Sequence, residues 1–172
     1  MKPILFAIFM CLAGSPLAMT VDQLTFVQAL KQGRAEGPIP AQQPFLEAAA
    51  AMQARTGNAA PITVMSFRIS QFDQQPTCGR IGFGLYQKAT NTFWSQSGGQ
   101  MNICEDGYPP NRICPDEPNK LVPFNATCAN GKSSVDTPEV AAAIANAIKG
   151  GSLSMEEVSK RMRAAKPAVQ PK

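Results

Sequence analysis

The chain has 172 residues, of which 16 are basic and 12 acidic, for a net charge of +4, and it contains no histidine. So mild a positive excess gives no reason to expect a nucleic-acid surface. The missing imidazole removes Ser-His-Asp and Cys-His nucleophile systems together with the commonest zinc ligand, and no Cys-x-x-Cys pair supplies a thioredoxin-like redox centre.

Residues 1–18 have the form of a signal peptide. Lys2 makes a short positive start, Ile4 to Ala13 is an almost unbroken apolar run, and Ser15-Pro16-Leu17-Ala18 provides a helix break and a small residue for cleavage. Cleavage is expected after Ala18, with Thr20 as the alternative because Pro16 is poor at the minus-three position. The run is roughly half the ~20 residues needed to cross a bilayer, so no membrane span is expected once the leader is removed. Cys11 follows the bulky Phe9 and Met10, not the small residues of a lipid-attachment site, and is expected to leave with the leader.

The remainder divides into residues 19–135, expected to be one disulfide-bonded α+β domain, and 136–172, expected to be a helical hairpin with a frayed tail. A first helix is predicted from the capping-box spacing of Thr20 to Gln23, through Leu24, Val27 and Leu30, to a stop at Gly33. Gly37-Pro38-Ile39-Pro40 then reads as a break. Pro44 fits the first turn of a second, alanine-rich helix ending at Gly57, slim enough to pack closely on a sheet.

The period then changes. Met65, Phe67 and Ile69 alternate with Ser66, Arg68 and Ser70, the pattern of a strand with one buried face. Ile81, Phe83 and Leu85 form one face of the next strand, with Gly82, Gly84 and Tyr86 on the other. A three-residue loop at Lys88, Ala89 and Thr90 would place Leu85 opposite Phe93 and Gly84 opposite Trp94, so that the indole covers the glycine. Gly98-Gly99 reads as a bulge or bend.

The four cysteines after the leader, Cys78, Cys104, Cys114 and Cys128, read as two disulfides in an exported chain. The hairpin brings Cys78 and Cys104 to the same end, which favours Cys78 with Cys104 and Cys114 with Cys128. The rival pairs Cys104 with Cys114 and Cys78 with Cys128. Residues 105–135 are expected to form a long, polar, bridge-held loop, and such loops often carry function. Glu105, Asp106, Asp116 and Glu117 lack the spacing of a compact calcium loop, so no metal and no cofactor is expected. Gly131-Lys132-Ser133 lacks the preceding glycine of a phosphate loop, and Asn125-Ala126-Thr127 is a glycosylation acceptor in form only.

Asp136-Thr137-Pro138-Glu139 opens a helix whose stripe of Val140, Ile144 and Ile148 stops at Gly150-Gly151. Ser154 with Glu157 makes a capping box for a second helix carrying Lys160, Arg161 and Arg163. The reading that follows is an exported, periplasmic, non-enzymatic binding or accessory protein, its expected partner another envelope protein. Its expected surface is the bridge-held loop with Tyr108 and an exposed aromatic sheet face of Tyr86 and Trp94. One alternative is a component of a secretion or conjugation apparatus docked through Lys160, Arg161 and Arg163; another is an exported hydrolase working with carboxylates alone.

Overall fold

The computed structural model describes residues 24–150 and Lys160. The leader with Cys11, the box from Thr20 to Gln23, and the second C-terminal helix with Arg161 and Arg163 lie outside the described residues. Within them the chain is α+β. A four-stranded antiparallel sheet and a two-stranded sheet are accompanied by three α-helices.

Helix α1 (Thr25–Gln32) starts later than the Thr20 box requires: Leu24, at the N-cap, is extended (φ −65°, ψ 126°), and among the described residues no side chain caps the first turn. Packing holds it instead, with Val27 and Leu30 buried against Ile81 and Ile103. Gly33 ends the helix in the left-handed region at φ 88°, and its carbonyl accepts the Arg68 N–H at 2.9 Å. The chain therefore turns straight into β1 (Arg34–Pro38), which runs antiparallel to β2 (Thr63–Gln71). The expected break at Gly37-Pro38 is thus the end of an edge strand, where a proline is tolerated because one side of the strand needs no N–H donor. Glycine is required at 37 because a Cβ there would run into the Thr25 side chain.

Helix α2 (Gln43–Thr56) has Pro44 in its first turn and ends at Gly57 (φ 64°), as its sequence predicts. Only its Ala49 and Met52 are buried, against Ile62, Val64 and Leu85. The sheet order is β1-β2-β3-β4, with β3 at Cys78–Gln87 and β4 at Thr92–Cys104. Val64, Met65, Ser66 and Phe67 are all buried, so the middle of β2 is covered on both faces, not one. Helices α1 and α2 cover the face carrying Val64, Ile81 and Leu85. On the other face Met65, Phe67, Tyr86 and Phe93 form their own cluster. Full burial of such side chains contributes about 1.5–3 kcal/mol each.

The β3–β4 register differs from the expected one by a residue. The connection is a 3-10 turn at Lys88–Thr90 plus Asn91, which takes φ 50°, so Gln87 pairs with Thr92, Tyr86 with Phe93 and Leu85 with Trp94. Asparagine tolerates this left-handed conformation, and its one additional residue shifts every pair. The ring lying over Gly84 is consequently that of Phe93, not Trp94. Farther along, Phe83 pairs with Gly99 while Leu85 pairs with Trp94, so β4 bulges between them, in line with the reading of Gly98-Gly99. A Cβ at Gly98 would meet the Phe83 carbonyl.

Both disulfides join as the hairpin geometry favours: Cys78–Cys104 directly across β3 and β4, and Cys114–Cys128 over a separation of 14 residues. Residues 105–135 are more regular than a loop. Strands β5 (Arg112–Cys114) and β6 (Glu117–Val122) pair antiparallel, and Ile113 also bridges Val135. Helix α3 (Pro138–Gly150) begins where its cap predicts, with the Val140 N–H donating to Thr137 Oγ1 at 3.4 Å. Its Val140 is buried against Phe72 and the Cys78–Cys104 bridge, so the first turns of α3 belong to the core.

Candidate functional site

A concavity of about 600 Å³ surrounds the Cys78–Cys104 bridge. Three segments wall it: the turn before β3, the turn after β4, and the stretch after β6. Each is held by identifiable bonds. Gln75 is buried, and its amide clasps the Asn111 backbone at two points, Nε2 donating to the carbonyl at 3.1 Å and Oε1 accepting the N–H at 2.8 Å. The Glu139 carboxylate on α3 accepts the Asp73 and Gln74 N–H groups at 2.7 and 3.1 Å. Charge-assisted bonds of this kind are stronger than neutral ones and fix the turn to the helix.

The second turn is made by Asp106 and Gly107. The Cys104 N–H donates to the Tyr108 carbonyl at 2.8 Å, the Gly107 N–H donates to the Cys104 carbonyl at 2.9 Å, and Asp106 Oδ1 accepts the Tyr108 N–H at 3.0 Å. Gly107 takes φ 84°, a conformation glycine adopts without steric cost. The turn holds Tyr108 outward, 61% exposed. Its ring stacks on Phe124, with centroids 6.1 Å apart and planes 21° from parallel. Leu121, also exposed, lies on the same rim. A tethered aromatic pair beside amide and backbone groups offers an apolar platform with adjacent hydrogen-bonding partners, a composition suited to recognition.

The other expected surface residues are dispersed. Tyr86 is 6% exposed, and its hydroxyl donates to Asn91 Oδ1 at 3.0 Å. Trp94 is on the opposite sheet face, half-buried, with the Arg55 guanidinium 5.6 Å from its ring centroid. The expected exposed face shared by Tyr86 and Trp94 therefore does not form, because adjacent registered pairs of a strand point to opposite sides. Lys160 is exposed.

The four acids stay apart. Glu105 lies 3.9 Å from Lys31, Asp106 caps its own turn, Asp116 accepts from Asn130, and Glu117 pairs with Lys120 at 3.1 Å. Among the described residues no three Asp, Glu or Cys side chains gather as a metal site would require. Gly131-Lys132 forms a tight turn, the Cys128 N–H donating to the Lys132 carbonyl at 2.9 Å. The importance of Gln75 and Phe124 was not visible in sequence, since each acts through a partner distant along the chain. The one available signal was the density of proline and asparagine around Phe124. Comparison with protein-family models, with curated proteins and with solved structures finds no match to the chain.

Proposed function

We propose that the protein is an exported, non-enzymatic binding or accessory protein that engages another envelope protein through the groove at Tyr108, Phe124 and Leu121. The observation that carries this reading is the exposed aromatic stack, presented on a turn that a disulfide, two backbone hydrogen bonds and one to the Asp106 carboxylate hold in place. Aromatic anchors in pre-organised settings are favoured interface residues because little side-chain freedom is lost on binding. Export is supported by the leader pattern and by two disulfides, which persist in oxidising compartments such as the periplasm. Among the described residues no helix is long and apolar enough to cross a membrane.

The test is a photo-crosslinking amino acid placed at Tyr108, with Glu47 on the exposed side of α2 as the control position. A specific adduct from position 108 in the envelope fraction, lost on Phe124→Ser and absent from position 47, supports the reading. Equal adducts from both positions, or a partner complex that survives Tyr108→Ser with Phe124→Ser, would sink it.

A further inference from the structure

A second cavity, of about 300 Å³, lies between α3 and the sheet face opposite α1 and α2. It arises from the way α3 is seated. Val140 packs on the disulfide and Ile144 is half-buried, but Ile148, the next residue of the stripe, is 77% exposed. The helix lifts away from the sheet, and its apolar side roofs a cleft floored by Phe93, Gln100 and Arg80.

Arg80 is the unusual member. It is 8% exposed, and it is the one charged residue in a strand built, apart from Gln87, of apolar residues and glycines. Nε donates to Gln100 Oε1 at 2.8 Å and Nη1 to Asn102 Oδ1 at 2.7 Å. Both acceptors are neutral, no carboxylate pairs with it among the described residues, and Nη2 has no protein hydrogen bond there. Burial accordingly pulls its pKa below the ordinary arginine value by penalising the charged form. Buried cations are ordinarily matched by an anion, since removing the charge from water is otherwise uncompensated. Among the described residues no acidic residue lines the cleft, while Phe93, Ile144 and Ile148 make its walls apolar.

We propose that this cleft binds a small carboxylate with an apolar tail, the carboxylate on the Arg80 guanidinium and the tail between Phe93 and the Ile144–Ile148 side of α3. The size is at the small end of ligand cavities and suits a medium-length chain, not a bulky ring system. Such a group could be a free aliphatic acid or the C-terminus of an apolar peptide, and the two present the same chemistry to Arg80. The site is separate from the Tyr108 groove and does not depend on it.

The test is isothermal titration of the full chain with decanoate, decanol and decylamine, and with a Val-Ile-Leu tripeptide as its free acid and as its amide. Decanoate is expected to bind at least about tenfold tighter than decanol or decylamine, the preference a lost charge-assisted hydrogen bond implies. Binding by the tripeptide acid alone, lost in its amide, also supports the site and assigns the peptide source. Arg80→Met should weaken the preferred acid by about tenfold or more. Because Arg80 also holds Gln100 and Asn102, Ile148→Glu serves as a second variant: its position is exposed, and an acid at the mouth should repel the anion with little effect on folding. Equal binding of decanoate and decanol with no preference for the tripeptide acid, absence of binding by every probe, or unchanged acid affinity in Ile148→Glu would overturn the proposal.

Discussion

The register of the β3–β4 hairpin can be tested at a single atom. A Cβ added at Gly84 would lie 2.5 Å from Phe93 Cζ and 2.8 Å from the Trp94 carbonyl oxygen, both well inside van der Waals contact. The ring has little room to retreat. Phe93 is 3% exposed and meets Phe67 edge-on, with centroids 6.0 Å apart. Overpacking in such a setting costs about 1–3 kcal/mol. Gly84→Ala is therefore expected to destabilise by about 2 kcal/mol and, for a chain of this size, to lower Tm by about 4–8 °C. Gly99→Ala is the control, since its nearest neighbour, Phe83 Cζ, is at an ordinary 3.5 Å. Replacing Phe93 by Leu removes the ring, so Gly84→Ala in that background should cost about 1 kcal/mol less, a coupling of the size expected between touching residues. Replacing Trp94 by Leu should bring no such relief. Urea and thermal unfolding followed by far-UV circular dichroism measure all of these without relying on the single tryptophan. A neutral Gly84→Ala, or relief from Trp94→Leu in place of Phe93→Leu, would refute the register argument.

The two bridges close loops of 26 and 14 residues. Loop-closure entropy assigns them about 3.5 and about 3 kcal/mol respectively, and denaturant midpoints of Cys78→Ala/Cys104→Ala and Cys114→Ala/Cys128→Ala should fall accordingly. The first pair should also loosen α3, which rests on that bridge. A non-reduced peptide map linking Cys104 to Cys114 would contradict both expectations. Ser66 is fully buried between Ala35 and Phe83 of the neighbouring strands, and among the described residues its Oγ has no hydrogen-bond partner. Ser66→Ala should therefore raise stability by about 1 kcal/mol by removing an unsatisfied polar atom. A clear loss of stability on urea titration would show that the hydroxyl is bonded after all.

Local chemistry carried much of the architecture. Pro44 with Gly57, and Thr137 with Pro138, act within one or two helical turns, and the ends they predict are where α2 stops and α3 starts. The alternation from Ile81 to Tyr86 states which side chains share a face, and that much needs no partner strand. The same alternation could not say that both faces of β2 are covered, because the covering residues come from α1, α2 and β4. Strand β1 was missed for a related reason: its glycine and proline read locally as a break, while its pairing with β2 is a long-range event. In the candidate groove Tyr108 was legible as a surface residue, but Phe124 and the Gln75 clasp were not.

Hairpin connectivity in the sequence favoured Cys78 with Cys104, and Cys114 with Cys128, over the rival pairing, and the folded chain carries the favoured pair. Two strands joined by a short turn must bring Cys78 and Cys104 together, and an error of one residue in the loop leaves that conclusion intact. That same residue decides which ring covers Gly84, and only the folded chain settles it, through the left-handed Asn91. The burial of Arg80 and the lift of α3 above it likewise come from tertiary contacts alone, since they depend on where Val140 finds its seat on the disulfide. Periodicity and capping act over a few residues and survive small errors. Register, burial and cavities arise where distant segments meet, and there one residue changes the chemistry presented.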